Sequence, residues 1–283
     1  MHYHDSYGPS APELGWVPSP TYLLRRNRIL RLIDSIEACE ALEIGCGAGA
    51  LIHELARKGF KCSALEPSRT ALQIARHMNS NANVDVTDTP SNSWTERFDC
   101  LLAFEVLEHI EDDRAAIAQW REWIKPGGIL LLSVPAHKNQ WTASDEWAGH
   151  YRRYDHKELE SLLVDEGNFT LEHFEAYGSP LGDIIDPIRS RIHAKQLRLR
   201  KQMGCDSKIL NSQKSGIERS PESKLYPYLC SFPGRAFMRL SFVAQEIFSR
   251  LGIGRGYLLR ARKTASYREN SSDVTDHRED APA

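Results

Sequence analysis

A short glycine-rich turn between an apolar run and a helical pattern constrains this chain more than any other feature. The run Ala41–Ile44 leads into Gly45, Gly47 and Gly49, and a helical pattern begins near Leu51. Glycine adopts the backbone conformations of a tight turn and lets main-chain atoms approach a ligand closely. A buried strand, a tight turn and a helix N-terminus together predict a nucleotide-binding unit. Gly45-x-Gly47-x-x-Ala50 also fits the dinucleotide fingerprint, so the turn alone does not identify the ligand.

The rest of the chain up to residue 178 alternates between strand-like and helix-like segments. Short apolar runs predict strands at 41–45, 62–65, 84–86, 98–104, 129–134 and 169–176. Helices are predicted at 21–37, 50–58, 68–78, 112–124 and 155–166, and residues 1–19 are predicted to be irregular. Alternation of this kind indicates an α/β fold with a parallel, doubly wound sheet.

The pattern changes after residue 178. Residues 179–251 read as basic helices interrupted by a polar loop, and 256–263 as a final strand. The predicted organisation is therefore an N-terminal segment with a cap helix (1–38), a nucleotide-binding domain (39–178), a helical insertion (179–251), a last strand (252–263) and a disordered tail (264–283).

Charge divides along the same boundary. Residues 1–180 hold 17 Lys and Arg against 27 Asp and Glu, whereas 181–263 hold 17 against 6. A basic segment of this kind either meets an anionic partner or packs on the acidic remainder of the chain. No apolar run is long enough to span a membrane, no signal peptide is recognisable, and the six cysteines form no CxxC pair, so we expect a cytoplasmic protein.

Acidic residues lie near the ends of the second and third predicted strands. Glu66 follows Leu65, about 20 positions beyond the glycine turn, where a carboxylate can accept hydrogen bonds from a ribose diol. Asp85 and Asp88 lie near the third strand's end, and either could accept from an adenine amine, with Asp85 favoured.

Several motifs in order resemble one enzyme family over residues 20–178. They are Glu43-x-Gly45-x-Gly47-x-Gly49, Glu66, Phe98-Asp99 before AFEVLEHIEDD, and Lys125-Pro126-Gly127-Gly128. Together they resemble class I S-adenosylmethionine-dependent methyltransferases, in particular bacterial small-molecule enzymes such as those of quinone biosynthesis. The resemblance implies a Rossmann-like doubly wound seven-stranded sheet, with a helical cap or insertion before the last strand, and S-adenosyl-L-methionine as cofactor.

The resemblance also implies roles for individual residues. Glu43 would help to hold the cofactor's ammonium group, Glu66 its ribose and Asp85 its adenine, while Glu105 to Leu107 would line the sulfonium side. The full predicted cofactor-binding set is Glu43, Gly45, Cys46, Gly47, Gly49, Glu66, Pro67, Asp85, Glu105, Val106 and Leu107.

Methyl transfer from a sulfonium is an in-line displacement, so alignment contributes most of the catalysis. A neutral hydroxyl or amine acceptor also needs a base. His109 in EVLEH is the first candidate, and Glu105 and His150 are alternatives; His109 could equally be structural.

The segment Ser133–Asp155 follows the fifth strand and concentrates aromatic, histidine and arginine side chains. It resembles a subgroup signature, S-V-P-A-H…G-H-x-R-R-Y, and predicts an acceptor site for a carboxylate, phosphate or sugar group. The candidate residues are His137, Trp141, Tyr151, Arg152, Arg153 and Tyr154. In the alternative interpretation the segment is a structural lid whose arginines pair with nearby acids. No metal site is predicted, since the spacing of His109, His137 and His150 matches no ligand pattern.

The basic insertion has three interpretations. In order of preference it is a lid on the acceptor site, a peripheral membrane contact through residues 189–203, or a nucleic-acid contact, which we consider unlikely. The predicted function is methyl transfer to oxygen or nitrogen of a small metabolite or a glycan or lipid precursor. The alternatives are a non-catalytic scaffold and an NAD(P)-dependent oxidoreductase; the sequence does not determine the oligomeric state.

Overall fold

A central seven-stranded sheet organises the protein. The computed structural model describes residues 1–202, 217 and 220–264, and the predicted tail from 265 and much of the polar loop lie outside these residues. The sheet strands are β3 (Glu40–Ile44), β4 (Lys61–Leu65), β5 (Val84–Thr87), β6 (Phe98–Phe104), β7 (Ile124–Pro135), β8 (Phe169–Tyr177) and β9 (Gly256–Lys263). Their spatial order is β5-β4-β3-β6-β7-β9-β8. The predicted α/β fold with a seven-stranded sheet is confirmed.

The last strand departs from the predicted parallel arrangement. β3 to β7 pair in parallel, whereas β9 runs antiparallel to both of its neighbours, β7 and β8. Gly256 at the start of β9 pairs with Tyr177 at the end of β8. The intervening segment therefore leaves and re-enters the sheet at the same edge, which forces the reversed direction.

Helices cover both faces of the sheet. They are α1 (Pro20–Ile33), α2 (Ala50–Arg57), α3 (Arg69–Met78), α4 (Asp113–Trp123), α5 (Ala143–Ala148) and α6 (His156–Ser161), the last continuing as a π-helical turn, Leu162–Glu166. Alternate strand residues point to opposite faces. Leu101 packs with Ile117 and Trp120 of α4 on one face, and Leu102 with Ile29 and Ile52 on the other. Burial on both faces explains the nearly continuous apolar runs of the central strands.

The N-terminal segment is more ordered than predicted. His2–His4 (β1) and Gly8–Ser10 (β2) form a small antiparallel hairpin. Tyr7 in its turn is buried, and its hydroxyl donates to the carbonyl of Leu229 at 3.0 Å. A contact between residues so far apart in sequence cannot be predicted from the short N-terminal segment alone.

Three helices follow β8 and pack with α1 as a cap at the strands' C-terminal edge: α7 (Leu181–Gln202), α8 (Ser220–Cys230) and α9 (Phe232–Arg250). Gln245 of α9 is fully buried; it accepts from the Gly178 amide at 2.9 Å and donates to the Leu24 carbonyl at 3.1 Å. Arg28 of α1 pairs with both Glu175 of β8 and Glu246 of α9. These contacts join cap, α1 and sheet into one unit. None of the described helices has the length and apolar character that a membrane span requires.

Candidate functional site

The glycine turn forms part of one wall of a large cavity. Gly45, Gly47 and Gly49 all have positive φ, at 62°, 56° and 72°. A Cβ on Gly45 would lie 2.6 Å from Val106 Cγ2, whereas a Cβ on Gly47 would meet no atom within 4 Å. The turn therefore packs on one side and leaves the backbone at Gly47 open towards the cavity.

Gly49 has a different role from the one predicted. A Cβ there would lie 2.5 Å from the Asn79 side chain, whose Nδ2 donates to the Gly49 carbonyl at 3.0 Å. Gly49 does not line the cavity and instead lets α2 start close against α3. The glycine serves helix packing, a role that spacing alone does not reveal.

Glu66 lies at the end of β4 with its carboxylate fixed by the backbone. Oε2 accepts from the Gly47 amide and Oε1 from the Ser68 amide, both at 2.8 Å. Burial raises the pKa of Glu66, and the two amide donors lower it in part. Each oxygen keeps one free acceptor site, so the carboxylate can accept two hydroxyls of a vicinal diol.

Glu43 on β3 is a buried acid that lines the same cavity. Its side chain is 5% exposed, and Oε2 has no hydrogen-bond partner among the described residues. Burial raises the pKa of Glu43 to about 8, which the nearby Arg25 guanidinium lowers in part. An unpaired buried acceptor is costly, so this geometry favours a cationic or N–H ligand.

The cavity has a volume of about 660 Å³ and extends from these groups to the cap. Eleven of the predicted residues line it: Glu43, Gly45, Cys46, Gly47, Glu66, Pro67, Glu105, Val106, His109, His150 and Arg153. Eight other predicted residues do not: Gly49, Asp85, Leu107, His137, Trp141, Tyr151, Arg152 and Tyr154.

The assignment of Asp85 to adenine does not match the structure. Asp85 lies within β5, paired with Ser63, and its side chain is exposed. β5 extends to Thr87, and neither Asp85 nor Asp88 lines the cavity. The predicted strand was too short by one residue, and β5 is an edge strand whose outer side chains face solvent.

Glu105 follows β6 and is held by its neighbours. It adopts a positive φ of 57° and accepts from the Tyr177 hydroxyl at 2.6 Å and the Ser133 hydroxyl at 3.1 Å. Arg25 Nη1 lies 3.7 Å from its other oxygen. Two hydrogen bonds and one ion pair fix the orientation of this carboxylate, so its geometry favours a positioning role.

The two candidate histidines meet at the next turn. Leu107–His109 forms a 3₁₀ turn, and the rings of His109 and His150 lie edge to face with centroids 4.7 Å apart. Burial and the neighbouring His150 lower the pKa of His109 to about 3. His150 Nδ1 lies 3.0 Å from Asp145 Oδ1, which orients its ring.

Asp145 and Arg153 anchor this part of the site. Arg153 Nε donates to Asp145 at 2.8 Å, and its Nη1 donates to the Ala136 carbonyl at 3.0 Å. Burial alone would raise the pKa of Asp145, but hydrogen bonds from His150 and Arg153 lower it to about 2. The arginine therefore supports the loop, as in the structural-lid interpretation.

The remaining predicted acceptor residues also point elsewhere. Arg152 pairs with Asp113 at 2.6 Å, and the buried Tyr154 hydroxyl donates to the same carboxylate at 3.0 Å. His137 contacts Tyr257, and Trp141 is 39% exposed outside the cavity. Arg152, Tyr154 and His137 each have a partner in another element, so their concentration in the sequence reflects loop anchoring.

Several cavity residues were missed at the sequence level. Arg25, Glu108, Trp147, Tyr177 and His193 all line the cavity. Trp147 of α5 stacks on His193 of α7, with ring centroids 4.1 Å apart and planes at 4°. Glu108 stood within the EVLEH motif and could have been considered, whereas the α5–α7 contact has no local signal.

Comparison with known proteins supports the family predicted from the motifs. A family described as a methyltransferase domain matches residues 21–173. The ubiquinone biosynthesis O-methyltransferase of Alkalilimnicola ehrlichii is 30% identical over 117 residues, 39% of this chain and 47% of that protein. The Erwinia tasmaniensis enzyme of the same name is 29% identical over 176 residues, 59% of this chain and 69% of that one. The chain spans about half the length of several of these curated relatives.

Solved structures support the fold. An S-adenosylmethionine-dependent methyltransferase from Mesorhizobium loti has a TM-score of 0.52 and 14% identity, covering 86% of this chain and 98% of that one. The [4+2]-cyclase SpnF has a TM-score of 0.50 and 18% identity, covering 84% and 81%. At such identities the likeness concerns architecture only. The match over residues 21–173 and the glycine-turn architecture together show that this chain belongs to the methyltransferase-domain family, which confirms the predicted class I S-adenosylmethionine-dependent resemblance.

Proposed function

We propose that this protein transfers a methyl group from S-adenosyl-L-methionine to oxygen or nitrogen of a small acceptor. The observation that carries the proposal is the arrangement of Glu43, Gly47 and Glu66 around one cavity wall. It offers an acid with one unpaired oxygen, an open backbone turn and a carboxylate with two free acceptor sites. Glu43 would bind the ammonium group of the cofactor, the backbone at Gly47 would lie close to its methionine part, and Glu66 would bind the ribose diol.

The cofactor would supply an electrophilic methyl group on a sulfonium. Glu43 would bind the ammonium group and Glu66 the ribose, both from positions fixed by strand ends. Arg25, Tyr177 and Ser133 hold the Glu105 carboxylate in a fixed orientation beside this region. Because an in-line displacement depends on alignment, such fixed walls are the main catalytic contribution of the chain.

The acceptor would bind on the far side of the cavity, against the His109–His150 pair. Arg189, His193 and Trp147 form the opposite wall. This placement supports the lid interpretation of the insertion, since α7 closes the cavity from above. An aromatic and cationic wall suits an acceptor with an aromatic or anionic group. The relatives' names, ubiquinone biosynthesis O-methyltransferases, are consistent with an oxygen acceptor.

The first experiment is calorimetric titration of the purified chain with S-adenosylhomocysteine, with NADH as the control ligand. We expect micromolar binding of S-adenosylhomocysteine alone. NADH binding alone would replace the proposal with the oxidoreductase alternative. Turnover is then tested with candidate phenols and amines, and cofactor binding without turnover on any of them would favour the scaffold alternative.

We further propose that the outer face of the cap contacts an anionic membrane surface. Ile184, Ile188 and Ile192 of α7 are spaced four residues apart and are 64%, 56% and 53% exposed. α9 adds exposed Phe237, Leu240, Val243 and Ile247. Residues 181–263 carry 17 Lys and Arg against 6 Asp and Glu. Apolar side chains interspersed with cations suit a surface of anionic lipid.

Vesicle co-sedimentation tests this contact. We expect the chain to bind vesicles containing phosphatidylglycerol, to bind pure phosphatidylcholine weakly, and to lose binding at high salt. The double substitution Ile184→Ser and Ile188→Ser should reduce binding, whereas Val164→Ser, an exposed residue of the π-helical turn, should not. Equal binding of both variants would contradict the proposed surface.

A further inference from the structure

Glu108, His109 and His150 form a compact group at the acceptor side of the cavity. One potential ligand atom from each residue lies within 4.8 Å of the other two. All three residues line the cavity, and His150 Nε2 lies 3.9 Å from Glu108 Oε1. A tetrahedral ion with ligands at about 2.1 Å needs its ligand atoms about 3.4 Å apart. Small side-chain rotations would therefore close the group around one ion.

The polar atoms of this group lack partners within the protein. Glu108 is fully buried, and neither of its carboxylate oxygens has a hydrogen-bond partner among the described residues. His109 Nδ1 is likewise buried and without a partner there. Buried polar groups are nearly always satisfied, so three unpaired atoms on adjacent side chains call for an explanation. A bound cation would satisfy all three at once.

The surrounding groups orient both histidines towards this point. His150 presents Nδ1 to Asp145 at 3.0 Å, which leaves Nε2 directed at Glu108. The His109 ring interacts with the backbone of Gly149, and its Nδ1 remains free. Metal-binding histidines typically donate their second nitrogen to a carboxylate or carbonyl in this way.

We propose that Glu108, His109 and His150 bind a divalent transition-metal ion, of which Zn²⁺ is the best match. Two imidazoles and one carboxylate form a common zinc ligand set that leaves a coordination position open. Magnesium prefers oxygen ligands in octahedral geometry, so imidazole nitrogens select against it. The His137 ring does not join this group, because it contacts Tyr257 instead.

The role of the ion rests on the proposed methyl transfer. An acceptor hydroxyl bound at the open position would lose its proton to solvent more readily. The acceptor oxygen then forms a bond to the methyl carbon while the carbon–sulfur bond breaks, and the electron pair of that bond remains on sulfur. This assigns the site to oxygen acceptors and removes the need for a protein base.

Metal binding can be measured without turnover. The full chain is treated with EDTA, dialysed and titrated calorimetrically with ZnCl₂, and Co²⁺ is added separately for its absorption spectrum. We expect one Zn²⁺ per chain, a cobalt spectrum of low symmetry, and no comparable binding of MgCl₂. Glu108→Gln and His150→Gln should each weaken Zn²⁺ binding tenfold or more, with Glu146→Gln and His156→Gln as exposed controls.

Absence of stoichiometric Zn²⁺ binding, or unchanged affinity in Glu108→Gln, would overturn the proposed site. S-adenosylhomocysteine binding to the same EDTA-treated samples separates this failure from failure of the proposed function. If S-adenosylhomocysteine binds and Zn²⁺ does not, only the metal site is wrong. The same titration and far-UV circular dichroism show that each variant is folded.

Discussion

The proposed cofactor side and the proposed acceptor side of the cavity are built in different ways. On the cofactor side, Glu43 and Glu66 lie on adjacent parallel strands, and their free acceptor sites face the cavity. On the acceptor side, Arg152, Arg153 and Tyr154 are occupied by partners within the protein. The polar residues of the first region thus keep acceptor atoms free for the proposed ligand, whereas those of the second region anchor a loop.

The largest expected effect is a loss of stability on substitution of Arg153. Arg153→Met removes the guanidinium that pairs with the buried Asp145, which then keeps its contacts with His150 and the Thr142 amide, and should lower the free energy of unfolding by about 3–5 kcal/mol. Urea denaturation measures this loss. Lys138→Met, which breaks a half-exposed pair with Glu158, should cost less than about 1 kcal/mol. If Arg153→Met kept its stability but lost acceptor binding, the arginine would belong to the acceptor site.

Glu66 should affect binding, in contrast to Asp85. Glu66→Ala should weaken S-adenosylhomocysteine binding by about 1–3 kcal/mol, because hydrogen bonds from the ligand and the orienting contact with Gly47 are lost. Asp85→Ala should leave the affinity unchanged, since its side chain lies outside the cavity. Calorimetry on both variants measures the difference, and the reverse result would restore Asp85 to the site.

The open turn can be tested with a matched pair of glycines. Gly47 and Gly15 both have positive φ and open space at the Cβ position. Each change to Ala should cost about 1–2 kcal/mol of stability through backbone strain. Only Gly47→Ala should also weaken S-adenosylhomocysteine binding, because its methyl group projects into the cavity. Equal affinities in the two variants would argue against close approach of the ligand at Gly47.

Glu43 should make the stability of the protein depend on pH. Burial raises the pKa of Glu43 in the folded state from 4.5 to about 8, so the folded state retains a proton that the unfolded state has lost. Stability should therefore fall as pH rises from about 4.5 to 8, relative to Glu43→Gln. Thermal denaturation across this range shows the trend, and parallel curves for the two proteins would contradict it.

The same carboxyl should release a proton when its ligand binds. A ligand ammonium group favours the ionised form of Glu43, so binding near pH 7 should liberate part of a proton. Titrations in buffers of different ionisation enthalpy measure it, and Glu43→Gln should abolish the release. A release that persists in this variant would come from another group.

The local part of the site was predictable. The glycine turn, Glu43 and Glu66 depend on strand ends and a turn of fixed length, and the motifs place them in register. Local reasoning failed where an element's neighbours decide its role. Asp85 lies on an edge strand, Gly49 packs α2 against α3, and β9 runs antiparallel because its connection returns to the same sheet edge.

By itself the sequence determined the seven-stranded α/β fold and the glycine turn, because these rest on short-range periodicity and turn chemistry, and the resemblance of its motifs identified the family. Only the tertiary structure decided which polar residues of 133–155 face the cavity. Those side chains can contact solvent, one another or acids that are distant in sequence. Which contact forms depends on how far apart the helices, strands and loops lie in the folded protein. Arg153 pairs with Asp145, while Glu108, His109 and His150 come together from two separate loops, with both Glu108 oxygens and His109 Nδ1 unpaired among the described residues.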